Sequence, residues 1–599
     1  MPYDALVMAS IANEIAASVG ARVTKVYQPH AADVVLHLRG RGVGRTLLLS
    51  CAPDSARVHF VSSGGENPKF PPTFCMLLRK YLEGSRLVAV RQPPYERLLF
   101  LVFEGRGEMG ENRPVTLVAE IMGRRSNILL LDGAGRILDA ARRAPAGANP
   151  AREVLPGAPY VAPPRKQGTS PSALTADMVA RWLRQNPAKP VEELLLENVT
   201  GIGPALSRHV CILAGLDGPR RGDTGNEAPE ALVLTLRSAF GLDPKQAGQS
   251  PVVYFSGPAV LDYYCFHLAQ HSGLRYESFS SMSEALDRYF ARKLEEERFA
   301  ALSRALRSAV KRGLERASSR LASQRRDLEE GMRADLYRLY GELLTVRSSE
   351  VPRGATVARL PNYYADGAPE VSIPLDPALD ALQNARAYFK KYAKAKVARE
   401  EAERRLGTTE AEIAYLEQVG ETIEHAGSIP ALEEIRDELC DGGYMPADAP
   451  ARGAGAAGGR GEMPRTVSAS RPLSLRSSDG YEIVVGRNNK QNDSLTRSAR
   501  PEDVWLHARG TPGAHVILRH PGDAGKPPIG WPPEGALLEA AALAAHYSKA
   551  RGNTKVQVDY TFARHVWKPR RARPGMVLYD HEKTLVVRPD SRVTECTPR

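Results

Sequence analysis

Two stretches of charged, helix-forming sequence, each with an apolar residue at every seventh position, constrain this chain more than any other feature. In the first, Leu314, Leu321 and Leu328 recur at that spacing, offset from Val310 and Ala317. In the second, Leu406 and Ile413 recur beside Ala395, Ala402, Thr409, Leu416 and Ile423. Such spacing lays an apolar stripe along one side of a helix, and the Glu, Lys and Arg between suit solvated flanks. A stripe of this kind needs a partner, so the two helices are expected to pair. The segment between them, about 341–377, is compact and contains Pro361-Asn362-Tyr363-Tyr364 and Ile373-Pro374-Leu375-Asp376-Pro377. Helix, tip and returning helix make a long antiparallel coiled-coil arm over 281–440. An arm carries its tip far from the body, because each helical residue adds about 1.5 Å.

At 599 residues the chain is too long for one core, and a multidomain α+β protein is expected. Residues 1–172 alternate short apolar runs with turns, among them Arg22–Tyr27, Thr46–Cys51, Leu98–Phe103, Val115–Glu120 and Asn127–Leu131. Helix-like stretches intervene at Tyr3–Ser18 and Phe74–Leu82. The pattern predicts a mixed α+β domain on a mainly antiparallel sheet. From 173 to 280 the pattern predicts helices, marked by Gly201-Ile202-Gly203-Pro204, a helix-hairpin-helix turn in which proline opens the second helix. Free N–H groups there can grip a phosphate through Gly201 and Gly203, and the same turn also serves as a plain connector. Residues 441–470 are a flexible linker by composition. Gly453, Gly455 and Gly458 match a dinucleotide signature by coincidence, with no strand before them and no amphipathic helix after them. Residues 471–599 read as a small α+β module with one strongly basic face.

Within that module, Arg487, Asn488, Asn489, Lys490, Gln491, Asn492 and Asp493 follow a strand-like run, Tyr481–Val485, and are read as a loop. A second run, Val504–His507, ends on another cationic turn at Arg509. Cations, amides and an imidazole at strand ends suit phosphates and base edges, and fit no hydrolytic triad or metal cage. Arg487, Asn488, Lys490, Gln491, Asn492, His507 and Arg509 are therefore expected at RNA, with Arg570, Arg571 and Arg573 at phosphates. His507 and His515 read equally well as satisfied structural histidines, and Trp505 reads as core. A net charge of +12 and a pI of ≈ 9.3 point to a polyanionic partner. The six cysteines are scattered, with no CxxC pair and no histidine at zinc-ligand spacing. Free thiols in a reducing cytoplasm, without metal or cofactor, are expected. Mean hydropathy is −0.33 and no apolar run is long enough to span a bilayer, so no membrane attachment is expected. The N-terminal residues carry Asp4 and Glu14 and lack the basic start and apolar block of a secretory signal.

These landmarks together resemble the NFACT family, the ribosome-quality-control factors of bacteria and their archaeal and eukaryotic relatives. The resemblance is carried by FCMLLRKYLEG (Phe74–Gly84), EIMGRRSNI (Glu120–Ile128), YGELL (Tyr340–Leu344), the PNYY and IPLDP pieces and the run Asn384–Lys396. It continues in VGRNNKQND, DVWLHARGTPGAHV and KPRRARPGMV (Lys568–Val577), in family order over essentially the whole chain. The resemblance implies an N-terminal domain related in fold to the N-terminal domain of formamidopyrimidine-DNA glycosylases, and an RNA-binding C-terminal domain. It implies a non-enzymatic role on a large ribosomal subunit that still holds peptidyl-tRNA. Such proteins bring in charged tRNA, alanine tRNA in the bacterial members. The ribosome's own centre then adds an untemplated alanine tail that marks the nascent chain for degradation. One copy acts on each particle, the first and last domains embrace tRNA, and the arm tip, here Asn362, Tyr363 and Tyr364, reaches rRNA and the stalk base.

The family's Asp-Arg pair, implicated in tRNA recognition, matches Glu96-Arg97, where the acid is one methylene longer and its acceptor is displaced. A carboxylate accepts from base amines and a guanidinium bridges phosphate or a purine edge. Glu120, Arg124, Arg125, Ser126 and Asn127 sit between strand-like runs and read either as a solvated turn or, with the resemblance, as an RNA-facing loop. Two other classes compete. The start Met1-Pro2 offers a secondary amine for DNA glycosylase/lyase chemistry, but Tyr3-Asp4 replaces the glutamates that follow that proline in the glycosylases. Some relatives carry a fibronectin-binding label, yet the sequence shows no anchor or extracellular repeat.

Overall fold

The structure is a computed structural model, and it describes all residues except 1–2, 41, 66, 107–111, 145–151, 217–227, 242–249, 447–470, 523–529, 571 and 591–599. The chain divides into two compact units, one over Met1–Glu297 and one from Arg298 onward.

In the first unit, helix α1 (Ala5–Ala16) starts where the Asp4 carboxylate accepts from the N–H groups of Leu6 and Val7. Strands β1 (Arg22–His30), β2 (Asp33–Gly40), β3 (Val43–Ser50) and β4 (Arg57–Val61) precede helix α2 (Thr73–Leu82). Strands β5 (Arg86–Arg91), β6 (Leu98–Arg106), β7 (Asn112–Glu120), β8 (Asn127–Leu131) and β9 (Ile137–Ala140) complete a nine-stranded antiparallel sheet ordered β4-β3-β2-β1-β5-β6-β7-β8-β9. The period-2 alternation directs Val34, Leu36 and Leu38 to one face, and they belong to the same buried core as Val7, Met8, Ile11 and Ile15 of α1. Helices α3 (Ala176–Gln185), α4 (Val191–Asn198), α5 (Pro204–Leu213) and α6 (Ala228–Ala239) follow. One apolar core extends from Tyr3 through these helices to Tyr289, so it crosses the boundary expected at 172.

The expectation of an all-helical 173–280 segment is corrected by a three-stranded antiparallel sheet, ordered β11-β10-β12. Its strands are β10 (Val252–Ser256), β11 (Ala259–Tyr264) and β12 (Arg275–Ser278). β-Branched and aromatic residues on both sides of a Gly257 turn, at φ +61°, are a hairpin signal that outweighs the helical pattern upstream.

Helix α7 (Met282–Met332) is 51 residues long and is followed by α8 (Ala334–Val346), the hairpin β13 (Val357–Pro361) and β14 (Glu370–Pro374), and α9 (Ala381–His425). Helix α10 (Ile429–Asp441) closes the arm. Ion pairs Arg307–Glu424 (3.3 Å), Arg320–Glu412 (2.6 Å) and Arg325–Glu410 (3.2 Å) show that α7 and α9 run antiparallel in register. Buried Val310 and Ala317 face buried Ala402, Thr409, Leu416 and Ile423, whereas Leu314, Leu321, Leu328, Leu406 and Ile413 are half-buried. The expected seam exists, with one of the two apolar stripes on each helix buried more deeply than the other. The tip begins later than expected, since 341–346 are the last turns of α8.

The C-terminal module contains β15 (Leu473–Arg476), β16 (Glu482–Val485), α11 (Asn489–Ser498), β17 (Val504–Ala508), β18 (Val516–Leu518), α12 (Glu534–His546), β19 (Val556–Phe562), β20 (Val566–Trp567), β21 (Leu578–Tyr579) and β22 (Lys583–Val587). A six-stranded antiparallel sheet, ordered β15-β16-β18-β17-β19-β22, carries alanine-rich α12 on one face, against Ile483, Val485, Val504, Leu506 and Val516. The alternate residues Val484, Trp505 and Ile517 meet Leu495 of α11 on the other face. Among the described residues no helix is long and apolar enough to cross a membrane.

Candidate nucleic-acid interface

In the first unit, the start of β6 and the end of β7 carry the polar groups singled out by sequence. Tyr95 precedes them in the left-handed region, at φ +61°, where a bulky side chain is strained. Gly201, itself at φ +81°, lies against it, and a methyl group on Gly201 would fall 2.6 Å from Tyr95 Cβ. Phe240 meets the Tyr95 ring edge-on at 5.4 Å. Gln92 Nε2 donates to the backbone oxygens of Ala5 (3.0 Å) and Glu96 (2.8 Å), so the chain is tied down on both sides of the acid. Arg97 is half-buried, its Nη2 lies 3.9 Å from Met122 Sδ, and its carbonyl accepts from Ile121 N–H at 3.0 Å. The short helical turn Gly123–Arg125 follows with Arg124 and Arg125 exposed. Arg142 Nη1 donates to the Arg124 carbonyl at 3.1 Å. Lys166 Nζ donates to the Val199 carbonyl (3.3 Å), and its ammonium is pushed below its usual range by burial, with the Arg97 charge adding to the shift. Glu96, Arg97, Arg124, Arg125 and Lys166 therefore gather with the Gly201 turn at one end of the sheet. Lys166 and Arg142 were not singled out by sequence reasoning, because nothing in their local pattern marks them.

The two glycines of the turn are corrected from phosphate contacts to packing positions. Gly203 is buried and caps α5, and a methyl group there would lie 3.1 Å from both Cβ and Oδ2 of Asp4. That helix start faces a carboxylate already inside the protein. Asp4 Oδ2 also accepts from Tyr264 Oη at 2.7 Å, and burial pushes the carboxyl up to about 6 against the pull of these hydrogen bonds.

Two further expectations are corrected in the same way. Glu120 is 0% exposed, accepts from Arg152 Nη1 at 2.6 Å and from Tyr160 Oη at 3.0 Å, and so faces inward. Asn127 is buried, its Nδ2 donating to the Arg142 carbonyl (2.8 Å) and its Oδ1 accepting from the N–H groups of Arg142 and Ile128. In that motif only the arginines are exposed, with Met122 and Gly123 half-buried.

In the second unit, Arg487–Asp493 is not a loop. Asn488 caps α11, its Oδ1 accepting from Gln491 N–H at 2.7 Å, and Gln491 Oε1 accepts from Arg487 N–H at 3.0 Å. Asn492 Oδ1 accepts from His515 N–H at 3.1 Å. Asn488, Gln491 and Asn492 are buried, which corrects their expected contact with RNA. The outward side of the segment clasps the base of the arm. Asn488 donates to Glu434, Asn489 Nδ2 donates to Glu438 Oε1 at 2.8 Å, and Lys490 pairs with Asp441 at 3.5 Å. Glu434, Glu438 and Asp441 follow one another along α10 at helical spacing. Arg487 is half-buried and its Nη2 donates to the Arg471 carbonyl at 3.0 Å.

The remaining groups divide by exposure. Burial holds the imidazoles of His507 and His515 below their usual range, and His515 Nδ1 lies 3.0 Å from Thr496 Oγ1. Arg509 is exposed, pairs with Asp559 at 3.8 Å and donates to Thr584 Oγ1 at 3.0 Å. Lys568 pairs with Asp493, and Arg570 is exposed. Arg573 Nη1 donates to Tyr444 Oη at 2.7 Å. Arg571 and Pro2 lie outside the described residues, as does most of the expected linker, 447–470. At the arm tip Asn362 Oδ1 accepts from Tyr364 N–H at 3.0 Å, and Tyr363 and Tyr364 are 46% and 70% exposed.

The chain is similar to known proteins. Residues 4–454 match the NFACT N-terminal and middle domains, and residues 472–580 match the NFACT protein RNA binding domain. The Rqc2 homolog RqcH of Bacillus subtilis is 33% identical over 598 residues, covering 99% of this chain and 98% of that protein. The ribosome quality control complex subunit NEMF of Homo sapiens is 24% identical over 382 residues, covering 60% of this chain and 34% of that protein. The solved N-terminal part of the fibronectin/fibrinogen-binding protein from Streptococcus suis covers 48% of this chain and 99% of its own, at 27% identity and a TM-score of 0.40. With both family domains matched in succession and a relative aligned along almost its whole length, the chain belongs to the NFACT family.

Proposed function

We propose that this chain is a ribosome-quality-control factor that binds a large ribosomal subunit holding peptidyl-tRNA and recruits charged tRNA, alanine tRNA by family analogy, for untemplated tailing of the nascent chain. The observation that carries the reading is the match to the Rqc2 homolog RqcH over 99% of the chain, together with the RNA-binding domain at 472–580. The grouping of Arg97, Arg124, Arg125 and Lys166 supports tRNA contact in the first unit, since a half-buried guanidinium among exposed cations reads phosphate and base edge together. The exposed Tyr363 and Tyr364 suit a docking role at the subunit. In this reading the ribosome forms the peptide bond, the chain is no catalyst, and the work is done in the cytoplasm.

The test is affinity purification of the full chain from cells, with sequencing of the recovered RNA. Large-subunit rRNA and one enriched tRNA are expected, both lost steeply as salt rises. Arg97→Ala is expected to cut tRNA recovery about tenfold while leaving rRNA recovery unchanged. Recovery of no large-subunit rRNA, or of genomic DNA in its place, overturns the reading.

A further inference from the structure

Within the second unit, a cavity of ≈ 290 Å³ opens between α9 and the C-terminal module. Tyr415 and Gln418 of α9 form one wall, Trp505 and His507 of β17 another, and Arg573 with Tyr579 the third. Trp505 is 1% exposed, and its indole N–H has no acceptor among the described residues. Buried donors are nearly always paired, so an unpaired one beside a cavity suits an acceptor that enters it. The indole ring lies 4.8 Å from Tyr579 and 5.7 Å from His507, centroid to centroid. The Arg573 guanidinium stands 5.0 Å over the Tyr415 ring and is already engaged by Tyr444 and, at 3.9 Å, by Glu412.

These walls are mainly aromatic, and the one cation among their residues, Arg573, is held over the Tyr415 ring and shares Glu412 with Arg320. They favour a flat, uncharged ring that presents an acceptor at its edge. The volume lies at the lower end of the roughly 300–1,000 Å³ that small ligands occupy, which admits one such ring with its sugar and not a stack of two. Arg570, exposed three residues before Arg573, supplies an unburied cation next to this wall in sequence, as a strand continuing past the cavity requires. We propose that the cavity captures a single unstacked base of single-stranded RNA, held among the aromatic walls with a ring acceptor on the Trp505 N–H. The proposal rests on the reading of the chain as an RNA-binding factor.

The probe is a short single-stranded RNA carrying one 2-aminopurine, titrated into the full chain. Fluorescence quenching on binding is expected. Ala414 is exposed and lines the cavity from α9, so Ala414→Trp fills the space without entering a core. That variant is expected to abolish the quenching and weaken binding roughly tenfold, with an unchanged melting temperature and an unchanged salt dependence. Trp505→Phe keeps a ring in place and removes the donor, and is expected to weaken binding while retaining the quenching. Binding without quenching in the unaltered chain, equal quenching in Ala414→Trp, or no binding of the probe overturns the proposal. Each of these leaves recovery of large-subunit rRNA from cells untouched. Adenosine monophosphate bound as tightly as the RNA would assign the cavity to a free nucleotide and overturn the RNA assignment.

Discussion

Glu120 and Asn488 show how one side chain can belong to the fold when its neighbours in sequence look functional. Glu120 ends a strand beside two exposed arginines, yet its own carboxylate is spent on Arg152 and Tyr160. Removing it leaves the Arg152 guanidinium, whose side chain is 7% exposed, without its counter-charge. Glu120→Ala is therefore expected to destabilise the first unit by about 3–5 kcal/mol, measured by urea unfolding. A solvent-facing contact residue would change stability by only a few tenths. Asn488 follows the same logic, since its oxygen caps α11 and its amide reaches Glu434.

The turn between α4 and α5 acts on the site through shape. Its Gly201 permits the close approach that holds Tyr95 in a left-handed conformation, and the peptide that follows delivers Glu96 and Arg97. Gly201→Ala places a methyl at 2.6 Å from Tyr95 Cβ and puts alanine at φ +81°. A loss of about 2–4 kcal/mol is expected, with tRNA recovery falling as Arg97 is displaced. Full tRNA recovery from this variant would separate the turn from the site. In the arm, by contrast, no single pair dominates. Exposed bridges such as Arg307–Glu424 contribute about 0–1 kcal/mol each, and buried apolar residues of the two helices, among them Leu306, Val310, Leu416 and Ile423, hold α7 to α9.

Across the whole molecule, stability is set against acid by imidazoles buried in the neutral form. His59 is buried, accepts from Arg57 Nε on its Nε2 (3.2 Å) and faces the Phe60 carbonyl with Nδ1 (3.0 Å), which assigns its one proton to Nδ1. A second proton would meet the Arg57 N–H. Burial, then the Arg57 charge, pushes His59 down to about 3, and burial takes His209 to about 4. Both lie below the unfolded value of about 6.5, so the stability they contribute above that pH is lost as pH falls toward the folded values. At pH 5.5 each has lost about 1.4 kcal/mol. Asp4 works oppositely: its folded value of about 6 lies above the usual one, so its contribution is present in acid and lost as pH rises through about 6. Urea midpoints at pH 7.5 and 5.5 test this, and His59→Gln is expected to shrink the drop between them by about 1.4 kcal/mol. An unchanged drop would mean that His59 is not the titrating group.

The arm, the strands of the first sheet and the alternating faces of the last one were legible in the chain, because periods of seven and two are properties of neighbouring residues. The cap at Asn488 with Gln491 three residues on was legible too, and was outweighed by the density of polar groups around it. The hairpin at Val252–Tyr264 was missed because a helical pattern precedes it. What no local pattern holds is the partner: Arg152 for Glu120, Glu434 and Glu438 for the α11 segment, Tyr95 for Gly201. Periodicity tells which face of an element must be buried, whereas the fate of a polar group depends on which acceptor, from tens or hundreds of residues away, folding brings within 3 Å of it.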